Sequence, residues 1–148
     1  MAGKFPEGRE YNLFIDSVSS QYVVENWPGE IIFTGFETGS EIYTGLNLVN
    51  SSIGKSPVKE VYRISMPFSD EDKNGRMSWD QTAVLIAVYG TVGFFDTVSG
   101  KIMVNRDGSN SWVNDPAGKH RYVVRKMPVP EISAFIEKRM MHEPLIKN

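Results

Sequence analysis

The sequence predicts an α/β domain, and three observations carry that prediction. Valine (15) and isoleucine (11) far outnumber leucine (5), and β-branched side chains suit a pleated surface better than a helix. Residues 16–33 run helix, Gly-containing turn, solid apolar strand, which is the rhythm of an α/β unit. Beyond residue 95, Ser99-Gly100, Asp107-Gly108 and Asn114-Asp115-Pro116-Ala117-Gly118 punctuate short β-rich runs, the pattern of hairpins. With 148 residues and no cysteine, the chain is long enough for one domain over 1–148 and has neither a disulfide framework nor a thiolate metal site. A net charge of −2 argues against nucleic acid or an anionic membrane as the main partner. No secretory signal opens the sequence, and no apolar run is long enough to span a bilayer.

Taken in order, residues 1–10 carry Gly and Pro at close spacing and read as an irregular loop. Asp16 is an N-cap for a helix reaching about Asn26, with Val18, Tyr22, Val23 and Trp27 as its apolar face and Pro28-Gly29 as its stop. Ile31-Ile32-Phe33 reads as a short strand covered on both faces. A further short helix is expected over 36–43. Ser56-Pro57 supplies an N-cap and an N1 proline for a helix over 58–64. Residues 68–77, rich in Asp and Glu, read as an exposed charged loop whose spacing does not match a calcium loop.

Ser78 reads as the N-cap of a helix that is apolar from Ala83 onward and is expected to be surrounded by protein. Asp80 sits in its first turn, where the helix dipole favours a carboxylate. Then 95–98 and 101–104 read as the two arms of a hairpin turning at Ser99-Gly100, followed by short strands at 112–113 and 121–124. His120 and His142 are the only histidines, and with no cysteine beside them a zinc site is not expected. The last helix, over 131–141, places Ile132, Phe135, Ile136 and Met140 on one face.

Three segments carry a family resemblance. Met1-Ala2-Gly3, with Gly8 and Glu10-Tyr11-Asn12 after it, resembles a Met-Gly-Gly strand end and a glycine-bearing loop with a Glu-aromatic-Asn triplet. Ile32-Phe33-Thr34-Gly35-Phe36-Glu37 resembles the strand and loop after the next helix. Ser78-Trp79-Asp80-Gln81-Thr82-Ala83 resembles a segment with a late metal-binding aspartate. In this order they resemble the C-terminal half of the inosine/uridine-type nucleoside hydrolases. The resemblance implies the C-terminal portion of an open sheet with flanking helices and an added β-hairpin region.

It also implies hydrolysis of the N-glycosidic bond of ribonucleosides, with calcium in the complete site. Asp80 falls at the calcium-binding aspartate, and Glu10 and Asn12 fall where sugar hydroxyls are held. Trp79 stands where many relatives have histidine, so it is expected to stack on a base but not to protonate one. Lys4 or Phe5 stands near a further sugar-binding asparagine of the family. The family's N-terminal Asp-x-Asp-x-x-x-Asp-Asp motif has no counterpart in these 148 residues, and one aspartate falls short of the six to eight oxygens calcium takes. The chain alone is therefore expected to be inactive, to hold calcium only weakly, and to associate with a missing N-terminal part or with copies of itself. Its small-molecule partner is a nucleoside or ribose-like compound. The competing expectation is a non-catalytic relative that binds a sugar or a partner chain.

Overall fold

Asp16 and Ser56 begin their helices as their residue types predict. Asp16 Oδ1 accepts from the Ser19 backbone N–H at 3.0 Å, and Ser56 Oγ accepts from that of Lys59 at 3.3 Å. The computed structural model describes residues 7–143. The Met-Ala-Gly segment of the resemblance, and the Lys4/Phe5 position, lie outside the described residues. The elements are β1 (Glu7–Gly8), α1 (Tyr11–Ile15), α2 (Ser17–Asn26), β2 (Ile31–Phe33), α3 (Phe36–Ser40), β3 (Tyr43–Thr44), α4 (Leu46–Asn50) and α5 (Pro57–Ser65). After two short 3-10 turns come β4 (Arg76–Met77), α6 (Trp79–Tyr89), β5 (Phe95–Val104), β6 (Asn110–Asn114), β7 (His120–Arg125) and α7 (Val129–Met140).

Five strands form one mixed sheet in the order β1-β6-β5-β7-β2, and β3 pairs with β4 apart from it. Among the described strands only β2 and β7 run parallel, with Phe33 beside Tyr122. The fold is therefore mixed α/β, as expected. Successive strand residues face opposite sides, and each side carries its own core. Ile42, Leu85, Ile86, Phe95, Val123 and Ile132 cluster on the side of α6 and α7. Val24, Ile102, Val104, Trp112 and Tyr122 cluster on the side of α1 and α2. Among the described residues, no helix is long and apolar enough to cross a membrane.

Several expectations are corrected. Residues 95–104 form one ten-residue strand, β5, rather than two hairpin arms. Its first half pairs with β7 and its second with β6, and Gly100 lies opposite both His120 and Asn114. A Cβ at Gly100 would sit 2.6 Å from the Trp112 ring, so this glycine serves a close approach and not a turn. Glu7–Gly8 are not loop but an edge strand on β6. The helix expected over 36–43 stops at Ser40, and Tyr43 begins β3.

The charged loop also carries structure: Asp72 is buried and pairs with Arg76 at 2.6 Å. In α2 it is Val24 that is buried, whereas Val18, Tyr22, Val23 and Trp27 face outward. Helix α6 is buried on only one side, through Thr82, Leu85 and Ile86. Val84 and Val88 keep 61% and 67% of their surface exposed. Ile31–Phe33 is a strand, but an edge one, with Ile32 exposed.

Candidate functional site

The side chains of Glu10 and Asn12 reach the same cleft because the loop that carries them is tied to the sheet at both ends. Before it, β1 pairs Gly8 with Asn110. After it, Ser17 Oγ donates to the Arg106 carbonyl at 2.7 Å, and Arg9 pairs with Asp107 at 3.5 Å. Gly108, at φ +79°, forms the β5–β6 turn, and a Cβ there would press on Phe14 of α1. Glu10 is the N-cap of α1, its Oε2 accepting from the Leu13 N–H at 3.0 Å. Asn12 Nδ2 donates to Glu10 Oε1 at 3.3 Å. The Glu10 N–H donates to Asn110 Oδ1 at 2.8 Å.

These groups form the polar lip of a cleft of about 340 Å³. Its floor includes Phe33, Trp112 and Tyr122, and Thr34 and Gly35 close it beyond the C-terminal end of β2. Carboxylate and amide groups over an aromatic floor suit a ligand with both hydroxyls and an apolar face, since the lip offers acceptors and donors together.

Asp80 lies elsewhere. It is exposed and lines a groove of about 460 Å³ between α6 and α7, with Val84, Val88, Arg139 and Met140. Arg139 lies over the Phe135 ring and donates to the Tyr89 hydroxyl at 3.0 Å. The groove and the Glu10/Asn12 cleft share no lining residue. Among the described residues, no group of three or more His, Asp or Glu side chains could hold a metal ion. A calcium ion needs six to eight oxygens. A lone exposed carboxylate in an apolar groove that also carries a guanidinium does not fit one.

Trp79 is anchored within the fold. Its indole N–H donates to the Phe36 carbonyl at 2.9 Å, and its ring lies 5.2 Å from that of Phe36. A Cβ on Gly39 would come within 2.6 Å of the Trp79 Cα, so the two elements touch backbone to backbone. Ser78 occupies the N-cap position, but its side chain makes no capping bond. Its hydroxyl bonds that of Thr44 at 2.7 Å. Thr44 in turn meets the Tyr62 hydroxyl, to which Gln81 donates. This buried hydroxyl network fixes the start of α6.

His120 is buried, and its Nδ1 accepts from the Ile102 N–H at 3.1 Å. Burial lowers its pKa, with the Val24 backbone partly opposing and Lys101 adding to the shift. It serves the core.

Sequence reasoning missed Asn110 and the aromatic floor. One signal lies in the sequence: Trp112 reads as a strand residue, and strand alternation puts residue 110 on the same face. Comparison of the chain with protein-family models, with curated proteins and with solved structures finds no match.

Proposed function

We propose that the chain is the sugar-holding portion of a nucleoside hydrolase-like protein, which cleaves the N-glycosidic bond of ribonucleosides together with a second part that supplies the metal. The observation that carries the reading is the shared cleft of Glu10 and Asn12, hydrogen-bonded to each other above an aromatic floor. There the Glu10 carboxylate accepts from sugar hydroxyls and the Asn12 amide donates to them. Hydrolysis also needs an activated water and stabilisation of an oxocarbenium-like transition state, and no arrangement in this cleft supplies either. The 148-residue chain by itself is accordingly a binding unit.

The need for a second part is supported by the unpartnered apolar surface. Val84, Val88 and Val92 are exposed on and after α6, and the sequence between Asp80 and Asp96 carries no charge. A helix apolar on all sides belongs inside protein, and fully covering one valine stabilises by about 1.5 kcal/mol or more. The non-catalytic alternative, a sugar-binding relative, is favoured by one observation: Asp80 and the cleft do not meet.

The test is an NMR titration of the isotope-labelled chain with inosine, D-ribose and hypoxanthine. Inosine and ribose shift the Glu10 and Asn12 amide signals, while the free base leaves them in place. Shifts with hypoxanthine alone, or with none of the three, overturn the reading. Release of base from inosine, absent with this chain and restored by a supplied Asp-rich part, separates the hydrolase from its non-catalytic relative.

A further inference from the structure

Asn110 is 8% exposed, yet it lines the cleft beside Glu10. The orientation of its amide follows from its partner: the Glu10 backbone N–H can donate only to an oxygen, so the 2.8 Å bond identifies Oδ1 and leaves Nδ2 on the other side. Asn110 Nδ2 has no acceptor among the described residues, and it is not among the buried polar atoms sealed from solvent without a partner. The strand around it is firmly placed, since Asn110 pairs with Val104 on one side and with Gly8 on the other. A nearly buried amide held at one end and open at the other, in a cleft already edged by a carboxylate and a second amide, is an oriented donor.

We infer that Asn110 is a third ligand-binding residue of the cleft, one that selects for a polyhydroxylated, ribose-like ligand by donating its Nδ2–H to a sugar hydroxyl oxygen. The inference deepens the sugar-holding reading and rests on it. A hydroxyl can accept from Asn110 while its own proton goes to the Glu10 carboxylate, so the two residues together recognise O–H groups and discriminate against an apolar edge. The same bond that orients Asn110 also ties the loop backbone at Glu10 to β6. The β5–β6 hairpin thus belongs to the recognition apparatus.

The experiment follows the side-chain amide signals of the intact chain during titration with D-ribose, and compares ribose affinity with that of Asn110→Asp. The aspartate keeps an oxygen to accept the Glu10 N–H but loses the donor. In the native chain the Asn110 Nδ2 proton signals shift with ribose, alongside those of Asn12. In Asn110→Asp the affinity, read well below the variant's Tm, falls by about tenfold, the worth of one hydrogen bond with its partner left unmet, and Tm falls too, because the aspartate puts a second carboxylate at a nearly buried position beside Glu10. Ribose binding that shifts Asn12 but leaves the Asn110 amide unmoved, with unchanged affinity in Asn110→Asp, overturns the role of Asn110 and leaves the sugar-holding reading intact. If ribose shifts no cleft signal, both fall. Should Asn110→Asp fail to fold, the native side-chain signals decide the matter alone.

Discussion

The two faces of the central sheet carry different kinds of opening. On the α1/α2 face, polar groups from positions about a hundred residues apart converge: Glu10, Asn12 and Asn110 edge one cleft, and Glu10 bonds both asparagines. On the α6/α7 face, the groove is mostly aliphatic; Arg139 is bonded to the Tyr89 hydroxyl, and no hydrogen bond joins either of them to Asp80. The two openings therefore suit different kinds of partner. Convergent, mutually oriented polar groups are expensive to desolvate and fit a small polar ligand. An uncharged helix face left in water fits more protein.

Mutations on the two faces should differ in effect. The largest effect is expected at the core of the α6/α7 face, where Ile132 is fully buried. Ile132→Ala should destabilise by about 2–5 kcal/mol in chemical denaturation, the range for a large buried residue truncated to alanine. Next comes the seam that holds Trp79. Gly39→Ala pushes a methyl into the Trp79 backbone, and overpacking of this kind should lower stability by about 1–3 kcal/mol. A silent Gly39→Ala would mean that Trp79 is loosely held and available to a ligand.

Glu10→Ala removes the α1 cap and should lower stability by about 1 kcal/mol. By contrast, Asp80→Asn, at an exposed first-turn position, should stay within about 0.5 kcal/mol of the native chain. Calcium titrated calorimetrically into the chain should give no tight binding in either form. Equal losses in the two variants would erase the contrast between the faces.

A pH effect is expected on the α1/α2 face. His120 has its pKa lowered by burial from the ordinary 6.5, so below that value the unfolded chain takes up a proton that the folded chain resists. Stability should therefore fall as pH drops below 6.5 towards the folded pKa and be unaffected by this group above it. His120→Asn should flatten that slope in thermal melts, and an unchanged slope would assign it to other groups. The smallest effect on folding is expected from Val84→Lys with Val88→Lys, which stays within about 0.5 kcal/mol. If the groove docks protein, that pair should nonetheless abolish any self-association and apolar dye binding there. Persistent association would move the docking surface elsewhere, for instance to the exposed Val18 and Tyr22 of α2.

The sequence by itself determined the features that depend on a few neighbouring residues. Asp16 and Ser56 could be read as caps because the N–H groups they meet lie three residues on. The Asp107-Gly108 turn was legible because Asp107 Oδ1 accepts from the Ser109 N–H and Gly108 takes a positive φ. The apolar spacing of α7 predicted the burial of Ile132 and Ile136, and the mixture of helical and β-branched segments predicted the α/β class. Which side of α2 and of α6 packs against the rest of the protein was settled only by the folded chain.

Val18 and Tyr22 turn outward while Val24 packs with Ile102, Val104 and Trp112, a contact with strands about eighty residues away that no local period encodes. Gly100 looks like a turn residue until Trp112 is seen crossing it. Asn110 looks like an ordinary strand residue until β1 brings Glu10 beside it. The physical reason is range: caps and turns are settled within four residues along the chain, whereas a face, a register or a cleft is settled by strand pairing between segments that only the folded chain brings together.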